Sequence, residues 1–156
     1  MNNRLRQFLE KEKVHYQQEF HQTAYTAQGV AAEEHIPSKM VAKTIVLKAD
    51  DHFVLAVLPA SRRTDLGKLK AALGAKNIRL ASELEFSGMF PDCEIGAMPP
   101  FGNLYDVPVY VETSLIQDEE IVFNAGTHQD TIRMKYADFA RLTQPKVLDF
   151  ALVHAA

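Results

Sequence analysis

The sequence predicts an α+β domain built around a mixed sheet. Short apolar runs rich in β-branched residues (Val41 to Ala49, His52 to Leu58, Val107 to Glu112 and Glu120 to Ala125) are interspersed with helical patterns. The two kinds of segment follow no regular βαβ repeat. The 156 residues, 47% hydrophobic and 24% charged, are enough for one domain with its own core, and no linker, internal repeat or low-complexity segment divides residues 1–156.

Each element has a local reason. Leu5, Phe8 and Leu9 recur at helical spacing among charged and amide side chains, which predicts an amphipathic helix over 2–13. Val14 to Phe20 reads as a short strand, and Tyr25 to Glu34 as a second helix ended before Pro37. Asp50-Asp51 lies between the first two apolar runs as a turn, so they form a hairpin. Leu66, Leu69 and Leu73 share a helical face over Thr64 to Leu73, and Gly74 stops that helix. Ile78 to Leu80 is a short strand, and Ser82-Glu83-Leu84-Glu85 is a capping box opening a short helix. Beyond a Pro/Gly-rich loop from Pro91 to Asn103 come the strands at Val107 and Glu120, with Thr131 to Met134 pairing back onto the latter. Lys135 to Leu142 is a helix with Tyr136, Phe139 and Ala140 inward, and Pro145 to Val153 is a further short helix or a loosely packed tail.

The bulk numbers exclude several classes. A net charge of −3 argues against a protein that holds long nucleic acid, DNA included, mainly by counterion release, but leaves room for a local RNA contact. The single cysteine, Cys93, cannot form an intramolecular disulfide, which fits a reducing compartment. The basic N-terminus lacks the apolar core of a signal peptide, and no apolar run is long enough to span a bilayer. A cytoplasmic protein with no membrane contact is expected.

Two glycine-bearing segments look built to hold a small polar ligand. They are Gly96-Ala97-Met98-Pro99-Pro100-Phe101-Gly102 and Asn124-Ala125-Gly126-Thr127-His128. Glycine permits close backbone approach and proline stiffens one side. The Gly96 and Ala97 amides could cradle an oxygen that turns negative during hydrolysis, or the segment could be a plain tight turn. Phe101 reads as a core plug. Lys43 shares a strand face with Ile45 and Leu47, so it is an anchor for phosphate or carboxylate, an activated amine, or a lysine with its stem buried and its head in water. His128, on a turn at a strand end, is a base, a ligand contact or a surface histidine. Cys93 between Asp92 and Glu94 is a poor nucleophile, because acidic neighbours raise a thiol's pKa. No HExxH, CxxC, GxGxxG, P-loop or GxSxG motif is present, so no metal or cofactor is expected.

Val41-Ala42-Lys43-Thr44, Gly96 to Gly102, and Asn124 to His128 with Thr131-Ile132, in this order, resemble the YbaK/prolyl-tRNA-synthetase-associated-domain family of aminoacyl-tRNA editing deacylases. The resemblance runs over roughly residues 15–150. It implies a mostly antiparallel, barrel-like core flanked by helices, and a free-standing hydrolase that removes a small amino acid (Ala, Ser, Cys or Thr) from a mischarged tRNA, such as that for proline. Lys43, Gly96 and His128 would be the catalytic set. Ala97, Met98, Pro99, Phe101, Gly102, Asn124, Gly126 and Thr127 would bind the substrate. The partner would be the tRNA acceptor end, and a synthetase could be a second one. A non-catalytic module holding aminoacyl-tRNA or nucleotide is the alternative, as is a hydrolase of small esters that needs no tRNA body. Arg4, Arg6, Lys11, Lys13, Arg62, Arg63, Lys68 and Lys70 are either a local RNA footprint or a solvated surface.

Overall fold

The structure, a computed structural model, describes residues 1–152. Helix α1 (Asn3–Lys11) starts where the Asn2 side chain accepts from the Leu5 amide, and it buries Leu5 and Leu9. Strand β1 (Tyr16–Phe20) follows, then α2 (Ala27–Glu33), whose first turn is closed by the Thr26 hydroxyl on the Gly29 amide at 2.9 Å. That cap places Tyr25, expected inside the helix, in the extended segment before it. Strands β2 (Ala42–Ala49) and β3 (His52–Pro59) form the expected hairpin, turning at Asp50 and Asp51. Helix α3 (Leu66–Leu73) is capped by Asp65 and stopped by Gly74 at φ 66°. It starts later than Thr64 because Thr64 bridges to Ala151 instead. Strand β4 (Ile78–Leu80) leads to α4 (Glu83–Phe86), opened by a capping box between Ser82 and Glu85. The chain continues through β5 (Val109–Glu112), β6 (Glu120–Asn124), β7 (Asp130–Lys135), α5 (Tyr136–Thr143) and β8 (Lys146–Leu148).

The strands make two sheets. One has the order β4-β2-β3-β5-β8, antiparallel through β4, β2 and β3 and parallel through β3, β5 and β8. The other is β1-β7-β6, antiparallel throughout. A lone parallel bridge, Val41 to Val122, joins them. The core is therefore not the barrel expected. Closure would require a hydrogen-bonded ladder all the way round, with strands about 4.8 Å apart. Here the main core, with Phe101, Phe123 and Phe139, draws residues from both sheets. Side chains of that bulk hold facing sheets about 10 Å apart, beyond backbone pairing. A second apolar cluster packs α3 (Leu66, Leu69, Leu73) against Ile45, Leu47, Val54 and Leu58 of the larger sheet.

The tail also differs from expectation. In place of a short helix or loose packing, residues 146–148 add β8 to β5, and Phe150 is fully buried. The cause is Glu112, 2% exposed, whose carboxylate accepts from the Phe150 and Ala151 amides at 3.3 Å each. Those amides are thereby diverted from a helical ladder. Val153, where that expectation ended, lies outside the described residues. Among the described residues no helix is long and apolar enough to cross a membrane.

Candidate active site at the joined glycine loops

The two glycine segments meet. The Glu94 amide donates to the Gly126 carbonyl at 2.8 Å, and the Gly126 amide donates to the Ala97 carbonyl at 3.0 Å. The His128 amide donates to the Glu94 carboxylate at 3.0 Å. The His128 side chain completes the junction, with Nε2 2.8 Å from the Ile95 carbonyl oxygen. A carbonyl only accepts, so Nε2 carries the proton and Nδ1 is left as the free nitrogen. Nδ1 is buried and has no hydrogen-bond partner among the described residues. His128 is 7% exposed and so is not a surface histidine; it holds the 94–96 backbone in place.

Gly96 has φ 87°, a conformation that penalises any Cβ. Space is not the constraint, because a Cβ there would meet His128 Cε1 at an ordinary 3.5 Å. The Gly96 amide points at the Met98 sulfur, 3.3 Å away. A thioether is a weak acceptor, so this donor stays open to a better oxygen. The Ala97 amide, the other donor expected, is committed to the Glu94 carbonyl at 3.0 Å. The cradle thus reduces to Gly96. Ala97, Met98, Pro99 and Pro100 are buried. Beside Met98 lies a cavity of about 10 Å³ lined by Phe86, Phe90, Cys93 and Ile95 among others. That is room for about one water.

Phe101 is fully buried, with its ring centroid 5.5 Å from those of both Phe123 and Phe139. Gly102 is buried too, and a Cβ there would stand 2.2 Å from the Val107 carbonyl oxygen. Asn124 ends β6 opposite Thr131, and its buried Oδ1 has no hydrogen-bond partner among the described residues. Gly126 has φ 102° and backs onto the Asn2 side chain. The Thr127 hydroxyl bonds Asp130, a buried carboxylate that also takes the Met1 amino group and, at 3.1 Å, the Gln18 amide.

Lys43 lies on β2 opposite Leu58 of β3. It is half-buried, and among the described residues its ammonium has no hydrogen-bond or ion-pair partner. Burial, and then the Arg63 charge, lowers its pKa. No hydrogen bond or ion pair among the described residues links it to the Gly96–His128 unit. The Cys93 thiol is pushed up by burial, against a hydrogen bond with Tyr105 and together with the Asp92 charge, so it is a poor nucleophile here. Of the basic residues, Arg4 stacks on Tyr105 at 4.8 Å and donates to the Leu104 carbonyl, while Lys68 donates to the Ala151 carbonyl. These two serve internal contacts. Sequence reasoning missed Glu94, Asp130 and Tyr25. The first two sit within two residues of a segment already singled out, but only the fold shows what their carboxylates hold.

Comparison with known proteins fits this architecture. Residues 21–142 match the aminoacyl-tRNA editing domain family. The multifunctional Ser/Thr-tRNA deacylase ProXp-y of Escherichia coli (strain K12) is 32% identical over 114 residues, covering 70% of this chain and 68% of that protein. The proline–tRNA ligase of Staphylococcus saprophyticus is 30% identical over 120 residues, 75% of this chain but only 20% of the ligase. Among solved structures, one described as a putative trans-editing enzyme for prolyl tRNA synthetase superposes with a TM-score of 0.83 at 23% identity, covering 96% of each chain. The hypothetical protein APE2540 superposes with a TM-score of 0.86 at 16% identity, covering 96% of this chain and all of that one. From a family match over residues 21–142, which span both glycine segments, and a deacylase relative 32% identical over 70% of its length, the chain belongs to the aminoacyl-tRNA editing domain family.

Proposed function

We propose that the chain is a single trans-acting editing domain, spanning residues 1–156, that hydrolyses the ester between a small amino acid and the terminal adenosine of a mischarged tRNA in the cytoplasm. The observation that carries this reading is the Gly96 amide. It is held at φ 87° by the His128 junction and satisfied only by a thioether. Water attacks the ester carbonyl, and the carbonyl oxygen gains negative charge opposite the Gly96 N–H. Collapse expels the ribose oxygen, which takes up a proton, and the free amino acid leaves. A donor waiting where charge develops stabilises that step without reorganisation. The ester is already activated, so one donor and a positioned water are a proportionate device.

In this reading Lys43 holds an acceptor-end phosphate, and its lack of an internal partner leaves the charge available. Met98 borders the aminoacyl side chain. Ala97, Pro99, Asn124, Gly126 and Thr127 shape the walls, while Phe101 and Gly102 support them from the core. Selection then follows from the size of the aminoacyl pocket, which admits Ala, Ser, Cys or Thr and excludes larger side chains. His128 acts on Gly96 as a positioning residue. The deacylase relative acts on Ser- and Thr-tRNA by its name, and the ligase relatives make tRNA for proline the first candidate carrier.

The test is release of labelled amino acid from tRNA for proline and related tRNAs charged with Ala, Ser, Cys, Thr or Pro. Multiple turnover on one or two mischarged species, reduced at least tenfold in Lys43→Ala, is expected. Binding of acceptor ends without release from any species would leave a non-catalytic binding module.

A further inference from the structure

Tyr25 is the most exposed aromatic residue beside the site, at 77%. Its ring nonetheless has a fixed neighbour, the His128 imidazole, with centroids 4.9 Å apart and planes inclined by 56°. Three hydrogen bonds carry the preceding segment along the His128 turn. The His21 amide donates to the Gln129 carbonyl at 2.9 Å, the Ala24 amide to the His128 carbonyl at 3.0 Å, and the Gln129 side chain to the Thr23 hydroxyl at 2.9 Å. The Thr26 cap then fixes where α2 begins. Tyr25 is therefore delivered to His128 by backbone geometry and held there by the elements on either side.

Core packing does not explain this placement. The buried residues of α2 are Val30 and Ala31, in a cluster with Ala24, Val41 and Ala60 that does not include Tyr25. Nor does Tyr25 line the small cavity beside Met98. What remains is a largely exposed aromatic ring tilted against the imidazole that holds Gly96.

The geometry points to Tyr25 as the platform on which a nucleobase of the acceptor end stacks while the ester lies at Gly96. This inference rests on the reading of the site as an aminoacyl-tRNA hydrolase and adds a base contact to it. Every base has a π-face, so an aromatic platform holds the end of a strand without depending on net positive charge. That suits a chain of net charge −3. The stack is the same in the bound substrate and in the transition state, so its contribution falls on KM.

Two measurements test it. The chain contains no tryptophan, so Tyr25→Trp places a sole tryptophan at the platform, whose emission can be excited apart from that of the tyrosines. A short RNA ending in CCA should quench its emission. The same RNA with an abasic terminal nucleotide should quench at least fivefold less at equal concentration, and equal quenching by the two would overturn the proposal. The second measurement is deacylation kinetics on mischarged tRNA. Tyr25→Ala and Tyr25→Leu should raise KM about tenfold or more with kcat within about twofold, while Tyr25→Phe behaves as wild type. Turnover of a free amino acid methyl ester should be the same in all four proteins. A Leu variant with wild-type KM, or a fall in kcat on the methyl ester, would overturn the stacking role in favour of mere support of His128. Failure of the wild type to deacylate any tRNA would instead sink the hydrolase reading, and the fluorescence comparison would still decide the platform.

Discussion

Gly96 and Gly102 stand six residues apart in one loop, and both are glycine for opposite reasons. At Gly96 the backbone demands it, with φ 87° and ordinary room around an added Cβ. At Gly102 the backbone makes no such demand, but the space is already taken by the Val107 carbonyl oxygen and the Val109 side chain. The first glycine presents an amide, and the second lets the loop settle against β5. The loop is therefore an anchored half, ending in Phe101 at the centre of the aromatic core, and a presented half that rests on His128. Side-chain packing holds one, and hydrogen bonds to backbone and carboxylate hold the other.

That contrast can be broken at either end. Gly102→Ala should have the largest effect. A Cβ 2.2 Å from a backbone oxygen cannot be accommodated by a rotamer change, so we expect a loss of about 3 kcal/mol or more, read as a collapsed urea midpoint or insoluble protein. Next comes Glu112→Gln, which weakens a buried carboxylate accepting from Ser114, Thr113, Phe150 and Ala151. We expect a cost of about 2 kcal/mol at pH 7. Burial pushes the Glu112 pKa up, but the hydrogen bonds outweigh it and the net shift is downward. A carboxyl whose folded pKa is depressed contributes fully above its unfolded value and loses that contribution as pH falls through the folded one. The gap between wild type and Glu112→Gln in urea melts should therefore narrow below about pH 4.

Gly96→Ala sharpens the comparison from the presented half. The left-handed backbone costs an alanine about 1–2 kcal/mol, so the protein should still fold. Alanine keeps the N–H but resists φ 87°, so if that backbone is what aims the amide, kcat should fall at least tenfold while the near-ultraviolet spectrum stays native. Unchanged kcat would show that the glycine conformation is not what aims the amide. The smallest effect belongs to Lys43→Met. A lysine whose folded pKa is lowered destabilises the fold while it is charged, and that cost fades as pH rises towards the unfolded value near 10.4. The variant should be more stable by about 0.5 kcal/mol at pH 7, converging with wild type above pH 10, while its activity is lost.

Local chemistry made much of this legible from sequence. The hairpin at Asp50, the stop at Gly74 and the capping box at Ser82 each follow from a few adjacent residues, and each is present. The two glycine segments were visible for the same reason. What the sequence could not display is what joins distant parts. Nothing next to Glu112 announces that its carboxylate will bind amides at 150 and 151, so the tail read as a short helix or loose packing where residues 146–148 are β8. Nothing near Tyr25 announces His128, a hundred residues on. The open pair of sheets was missed likewise, because alternation reports which face of a strand is apolar and not whether its outer edges meet.

The pairing of β1 with β7 joins Tyr16 to Met134 and Phe20 to Asp130. At ordinary ribosomal speeds a strand emerging early waits roughly ten seconds for a partner made so late. Until residues 130–135 have emerged β1 is a bare ribbon edge, and the small sheet, which carries the Asp130 hub under the His128 turn, cannot assemble. Nascent chains stalled before residue 130 should hold the α3 hairpin layer and lack the site.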